Sequence, residues 1–242
     1  MGYSIVYQQP VSHLISERLF LTVLIALASI VFTWSLALPI GIYSAVRQYS
    51  LLDYGMTVFA LLGMATPGFM LALLIMYGAH EWFGISVGGL FSPEFIDVPW
   101  SMARVADLLK HIWAPMLVLG IAGTAGMIRV MRANLLDELR KPYVTTARAK
   151  GVRPMKLLFK YPVRMALNPF ISGIGGLFPQ LVSGGAIVAM VLSLPTVGPL
   201  MLTALMSEDM YLAGSMLMVL SLLGVLGTLV SDLLLLWLDP RI

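Results

Sequence analysis

The sequence has no cysteine, which excludes a disulfide framework, a thiolate metal site and a cysteine nucleophile. Charge is scarce as well. Asp, Glu, Lys and Arg make up 11% of the residues, where a soluble globular domain carries roughly 25%. The start of the chain lacks the basic-then-apolar order of a secretory signal peptide. There is no Gly-x-x-x-x-Gly-Lys phosphate loop, no His-Glu-x-x-His and no Gly-x-Ser-x-Gly, so ATP is not bound by a P-loop and no catalytic constellation emerges. Neither an enzymatic activity nor a nucleic-acid partner is expected. What the chain does have is apolar surface: 59% hydrophobic residues and a mean hydropathy of +0.91. A chain this apolar cannot cover itself in water, and the bilayer must be its solvent.

A transmembrane helix needs about 20 consecutive apolar residues. Uncharged runs place spans in Leu19 to Val46, Tyr54 to His80 and Ile112 to Ile128, with the last in Tyr211 to Leu238. Met165 to Ser207 carries no charge and is long enough for one span plus a re-entrant segment, its helix ending near Val191 to Leu194 ahead of Pro195 and Pro199. The fold class is therefore an all-α polytopic transmembrane bundle of about five spans. The division is a segment at 1–18 followed by a membrane domain at 19–242. Frequent glycines and prolines inside the spans, such as Pro39, Pro67, Gly175 and Pro179, suit close helix packing and internal breaks.

Orientation follows from the basic residues. Of 15 Lys and Arg, ten lie in 129–164, whereas 81–111 holds Arg104 and Lys110 against Glu81, Glu94, Asp97 and Asp107. The positive-inside rule puts 129–164 and the C-terminus in the cytoplasm and 81–111 outside. The N-terminal segment then falls outside. An external N-terminus without a signal sequence is unusual, and a missing first span is the simplest account of it.

Within the basic loop, Pro142 suits the first turn of a helix and Gly151 the position just past its end. Pro154 can open a second short helix through Phe159. Neither is long enough to be stable alone in water, so the surroundings must hold them. Ala147, Ala149 and Gly151 make the first helix thin, with Arg148 and Lys150 on its rim. A thin basic helix can slot into a groove on a soluble partner. On composition alone, a basic segment lying on anionic lipid is the commoner reading.

The run Tyr143-Val144-Thr145-Thr146-Ala147-Arg148-Ala149-Lys150-Gly151, with Asn168-Pro169 after it, resembles the cytoplasmic coupling motif of binding-protein-dependent ABC importer permeases, most closely the oligopeptide/dipeptide branch. Arg18-Leu19-x-x-Thr22, Gly63-x-x-x-Pro67, Leu194-Pro195-x-x-Gly198 and the closing Leu238-Asp239-Pro240-Arg241 extend the resemblance over nearly the whole chain. It implies a type I importer permease fold whose coupling loop docks on an ATP-binding subunit through Thr145, Thr146, Ala147, Arg148, Ala149, Lys150 and Gly151. It also implies a second homologous permease, two ATP-binding subunits that carry ATP and Mg²⁺, and an extracytoplasmic substrate-binding protein. Such a chain sits in the inner membrane and binds no cofactor itself. The family's subunits begin with one more span, so the chain would start inside the external region. Two departures bear on the substrate class. Thr145 stands where the wider family often has glutamate, and Ala186 to Ser193 holds no acid where peptide permeases often have one.

Other polar residues are weighed against simpler roles. His13, His80 and His111 lie on separate segments without ligand spacing and read as interfacial groups rather than a metal site. Asp232, the one acid inside a span, reads as a capping or pairing group near the interface, although an intramembrane carboxylate is a functional suspect. Glu208-Asp209 reads as a solvated turn in preference to a docking contact. Trp100 and Trp113 read as interfacial anchors. The rival functions are an ion-coupled secondary transporter, for which only Asp232 speaks, and a membrane scaffold, which leaves the specific loop unexplained.

Overall fold

The computed structural model describes residues 1–96 and 98–238. The side chains of 178 and 181–184 and the closing Asp239-Pro240-Arg241 lie outside that description. The helices, in chain order, are α1 (Val11–Val46), α2 (Leu51–Ala65), α3 (Gly68–Phe83), α4 (Met102–His111), α5 (Trp113–Leu139), α6 (Pro142–Ala149), α7 (Pro154–Lys160), α8 (Pro162–Ala166), α9 (Asn168–Ser172), α10 (Ile174–Gly184), α11 (Ala186–Val191), α12 (Val197–Met206) and α13 (Met210–Leu238). No named β-strand occurs among the described residues. The all-α class is as expected. Three helices, α1, α5 and α13, are long and apolar enough to cross a membrane, or four spans if the broken pair α2–α3 counts as one.

Where the spans depart from expectation, proline or packing explains it. The run at 54–80 is not one helix. Pro67 has no N–H and disfavours helical backbone at Thr66. Its carbonyl instead caps α3, accepting from Met70 N at 3.0 Å and Leu71 N at 3.1 Å. Met165 to Ser207 is likewise a chain of short helices, with Pro162, Pro169 and Pro199 in the first turns of α8, α9 and α12. The third span runs 11 residues further than the expected end at Ile128, to Leu139. Residues 129–139 are thus helix and not loop. No glycine or proline interrupts them, and Met131 and Leu135, one turn apart, are fully buried. Helix α1 begins at Val11 and buries Val11, Leu14 and Ile15.

The chain divides into two compact units. Unit 1 comprises Met1–Phe32, Thr66–Gly120 and Phe178–Gly224; unit 2 comprises Thr33–Ala65, Ile121–Leu177 and the described part of Val225–Ile242.

In unit 1 one core joins Leu21 and Ile25 of α1 to Leu90, Leu108, Val118 and the α11 residues Val188 and Ala189. A second core packs Val11, Leu14 and Ile15 against Val197, Leu200 and Ala204 of α12 and Leu212 and Met216 of α13. The first ten residues are pinned beside it by Asp209, which is 1% exposed. Its Oδ2 accepts from Ser4 Oγ at 2.5 Å and from the amides of Ile5 and Val6 at 3.0 and 3.3 Å. Its Oδ1 accepts from Leu212 N at 3.2 Å, capping α13. The solvated turn expected at 208–209 therefore holds only for Glu208. Asp209 is a buried clasp, because the α13 cap and the N-terminal amides converge on it. Burial alone would raise its pKa, but these donors favour the carboxylate more strongly and hold the group below its ordinary value.

In unit 2 the core gathers Ala45 of α1, Met131 and Leu135 of α5, and Val163, Ala166 and Phe170 from α8 and α9. Trp34 meets Phe170 edge-on with ring centroids 6.5 Å apart. Helix α5 is tied to α2 by a forked ion pair: Arg132 Nε donates to Asp53 Oδ1 at 2.9 Å and a terminal nitrogen to Oδ2 at 3.0 Å. Asp53 also accepts from Tyr49 N at 2.9 Å, and only 3% of its side chain is exposed. Where lipid replaces water, association rests on close packing of small residues rather than on hydrophobic transfer. Gly175 of α10 shows this. A Cβ there would lie 2.7 Å from Thr228 Oγ1 and 2.8 Å from the Thr228 backbone on α13.

Candidate functional site

The basic surface of unit 2 is built on the end of α5. Glu138, in its last turn, accepts from Lys141 Nζ at 2.6 Å and from Tyr143 Oη at 2.5 Å. That double contact turns the chain into α6, where Pro142 occupies the first turn with no loss of a helical hydrogen bond. Helix α6 is eight residues long and is held by a small apolar cluster of Val144, Ala147 and Leu157, with Tyr143, Val152 and Tyr161 around it.

Gly151 ends the helix as expected. Its φ is +72°, in the left-handed region, and the closing bonds run from Lys150 N to the Thr146 carbonyl at 3.1 Å and from Val152 N to the Ala147 carbonyl at 3.3 Å. This is how a glycine past the helix end satisfies the last carbonyls without a Cβ penalty. The chain then enters α7 at Pro154. The hairpin expected from Pro142, Gly151 and Pro154 is therefore present.

Of the seven residues singled out in the sequence, Thr145, Thr146, Arg148, Ala149, Lys150 and Gly151 are exposed. Ala147 points inward and is 8% exposed, so it sets how α6 lies on α7. Beside this face is a concavity of about 530 Å³ lined by Tyr143, Thr146, Lys150, Lys160, Tyr161 and Arg164, among others. Lys160 Nζ sits 5.5 Å from the Tyr161 ring centroid, within cation–π range. Arg164 donates from Nε to the Leu238 carbonyl at 2.5 Å and from a terminal nitrogen to the Trp237 carbonyl at 3.0 Å, satisfying carbonyls that α13 leaves open at its end. No carboxylate lies within ion-pair distance of Arg148, Lys150, Arg153 or Lys156 among the described residues. The face is a cationic surface with a thin, small-residue edge, suited to an acidic groove.

The remaining polar residues are placed as follows. Asp232 is exposed on α13 and forms no ion pair among the described residues, so the expected pairing role is not seen there. No group of three or more His, Cys, Asp or Glu converges among the described residues. His13 lies 3.6 Å from Glu17, and His111 Nδ1 lies 2.8 Å from the Asp107 carbonyl. Trp100 is more than an anchor. It packs edge-on against Phe20 and Phe91, with Arg104 over its ring. Neither this constellation nor the Asp53–Arg132 pair was read from sequence, since neither has a local spacing signal.

Residues 37–242 match the family model described as the binding-protein-dependent transport system inner membrane component. The chain belongs to this family. Such permeases are subunits of ABC importers, multi-pass in the membrane, and are not themselves enzymes. The oligopeptide transport system permease protein AppB of Bacillus subtilis is 34% identical over 243 residues, covering 100% of this permease and 75% of AppB. The inner membrane ABC transporter permease protein YejB of Escherichia coli is 32% identical, covering 100% of this permease and 67% of YejB. The oligopeptide transport system permease protein OppB of Mycobacterium tuberculosis is 32% identical over 97% of this permease and 73% of its own length.

Proposed function

We propose that this permease forms half of the translocation path of a peptide importer and takes its power stroke at α6. The observation that carries the reading is the exposed, small-residue edge of α6, ended by a left-handed glycine and mounted directly on the end of a 27-residue membrane helix. Thr145, Thr146, Arg148, Ala149, Lys150 and Gly151 form the docking face for an ATP-binding subunit, and Ala147 fixes the helix behind it. ATP and Mg²⁺ belong to two such subunits. Their closure pulls α6, and α5 carries that displacement into the membrane, because α6 follows α5 after two residues.

The complex is completed by a second homologous permease and an extracytoplasmic substrate-binding protein. Basic hairpin and C-terminus face the cytoplasm; the N-terminal segment and 81–111 face outward, as the positive-inside rule requires. The names of AppB and OppB support an oligopeptide substrate. Co-purification with the ATPase and peptide uptake in membrane vesicles test the reading together. Gly151→Arg should abolish ATPase recruitment and reduce uptake at least tenfold while the permease still inserts. Full uptake by that variant would overturn the coupling role.

A further inference from the structure

In unit 1, the loop after α3 folds back over α1 and α4 and lines an open concavity. Gly89 N donates to the Leu192 carbonyl at 2.7 Å. Ser92 is clasped by Asp107, its amide and hydroxyl each 2.7 Å from a carboxylate oxygen. These bonds hold Phe91 against Trp100, ring centroids 6.1 Å apart and edge-on. Phe20 of α1 closes on the other side of Trp100 at 5.4 Å. The result is an open cavity of about 770 Å³ whose walls include Glu17, Arg18, Phe20, Phe91, Trp100 and Arg104. That size lies within the roughly 300–1,000 Å³ of small-molecule sites.

Arg104 is the group in this wall that calls for an explanation. Its guanidinium centre is 4.6 Å from the Phe91 ring centroid and 4.7 Å from that of Trp100. Its terminal nitrogens donate to the Ile96 and Val98 carbonyls, while its Nε is buried with no partner. All of these partners are neutral, and no carboxylate lies within ion-pair distance of Arg104 or Arg18 among the described residues. The Arg104 Nε is shielded from water although the residue as a whole is only partly buried. A guanidinium fixed by rings and carbonyls is pre-organised to receive a planar carboxylate. Glu17 on the same wall disfavours a phosphate with its greater negative charge and suits an ammonium.

We propose that this cavity binds the carboxylate end of a short peptide, Arg104 and Arg18 receiving the carboxylate and the Phe20–Trp100–Phe91 rings receiving the adjoining side chain. The proposal deepens the peptide-importer reading and rests on it. It gives the permease an outward-side contact of its own with peptide.

The test is equilibrium dialysis of tritiated tri-leucine against the purified wild-type complex in phosphatidylcholine nanodiscs, without the substrate-binding protein. The C-terminal amide of the same peptide is the comparison. Wild type should bind the free acid about tenfold more tightly than the amide. Arg104→Gln should bring that ratio close to one with the amide's affinity little changed, and Arg104→Lys should restore part of it. Should Arg104→Gln fail to assemble, the wild-type ratio and Arg18→Gln decide. Equal binding of acid and amide, no binding of either, or displacement of both by phosphatidylglycerol, which would mark a lipid site, overturns the proposal. Uptake by the wild-type complex with its binding protein, assayed in parallel, tests the importer reading separately, since uptake without acid–amide discrimination sinks only the cavity.

Discussion

The α6–α7 hairpin in unit 2 and the 84–107 region in unit 1 are both non-spanning segments, yet they are held in opposite ways. The hairpin rests on three buried side chains, Val144, Ala147 and Leu157, and its shape comes from Pro142, Gly151 and Pro154 acting within a few residues of themselves. Apart from Lys160 over the Tyr161 ring, its charges are exposed, with no carboxylate in ion-pair range among the described residues. The 84–107 region is fixed by contacts across distance: Asp107 to Ser92 over 15 residues, Arg104 to the Phe91 and Trp100 rings of the loop before it, and Phe20 of α1 to Trp100. Its charges point at its own backbone and into a void. One segment turns its cations outward, and the other sets them along the wall of an open cavity.

That contrast can be broken from behind the hairpin. Asp53→Ala strands Arg132 in the wall of unit 2, and removing one partner of a buried pair costs about 3–5 kcal/mol. A large fall in the melting point of the detergent-solubilised chain, followed by fluorescence-detected size exclusion, is expected. In unit 1, Asp107→Ala leaves the Ser92 amide and hydroxyl without their acceptor at a cost of about 1–3 kcal/mol. Hydrogen exchange at 90–95 should accelerate while the α6–α7 amides stay as protected as before.

Gly151→Ala is the milder probe of the hairpin. A Cβ there meets no atom beyond its chain neighbours within 4 Å, so only the left-handed backbone resists it, at about 1 kcal/mol. ATPase recruitment should fall modestly, far less than with Gly151→Arg. Equal losses from the two would mean that the turn conformation, and not the clear space beside it, is what docking needs.

The smallest effect concerns pH. Burial would raise the Asp107 pKa, but the Ser92 amide and hydroxyl and the charges of His111 and Lys110 outweigh it and hold the carboxyl below its ordinary 3.8. Asp209 is lowered in the same sense by Ser4, Leu212, Val6 and Ile5. A lowered folded pKa gives stability that is fully present above the unfolded value and lost as pH falls through the folded one. Exchange protection at residues 4–6 and 92 should therefore be flat from neutral pH down to about 4 and decline only below the ordinary value near 3.8. Loss of protection between pH 5 and 7 would contradict both clasps.

What was legible in the sequence follows the same division. The hairpin could be read because proline and glycine act on their own neighbours, and its bounds at Pro142, Gly151 and Pro154 stand. The start of the basic loop could not, since residues 129–139 stay helical through Met131 and Leu135 packing on distant segments. Asp209 was misread because its main partner, Ser4, is 205 residues away, and nothing at Glu208-Asp209 signals it. The 54–80 run showed a proline and an uninterrupted apolar stretch at once, and hydropathy does not say which prevails. Arg104 looked like one more external charge until its rings were assembled around it.

Gly175 and Gly176 stand side by side in α10, alike in every property a sequence displays. The first touches the backbone of α13 through Thr228; the second has nothing beyond its chain neighbours and its own helix backbone within 4 Å of where a Cβ would sit. Every other amino acid carries that carbon, so the codon for 175 has no conservative neighbour and tolerates only synonymous change, while the codon for 176 is open to alanine or serine. In a saturation library sorted for assembled permease, the first column should empty to a single residue and the second should fill.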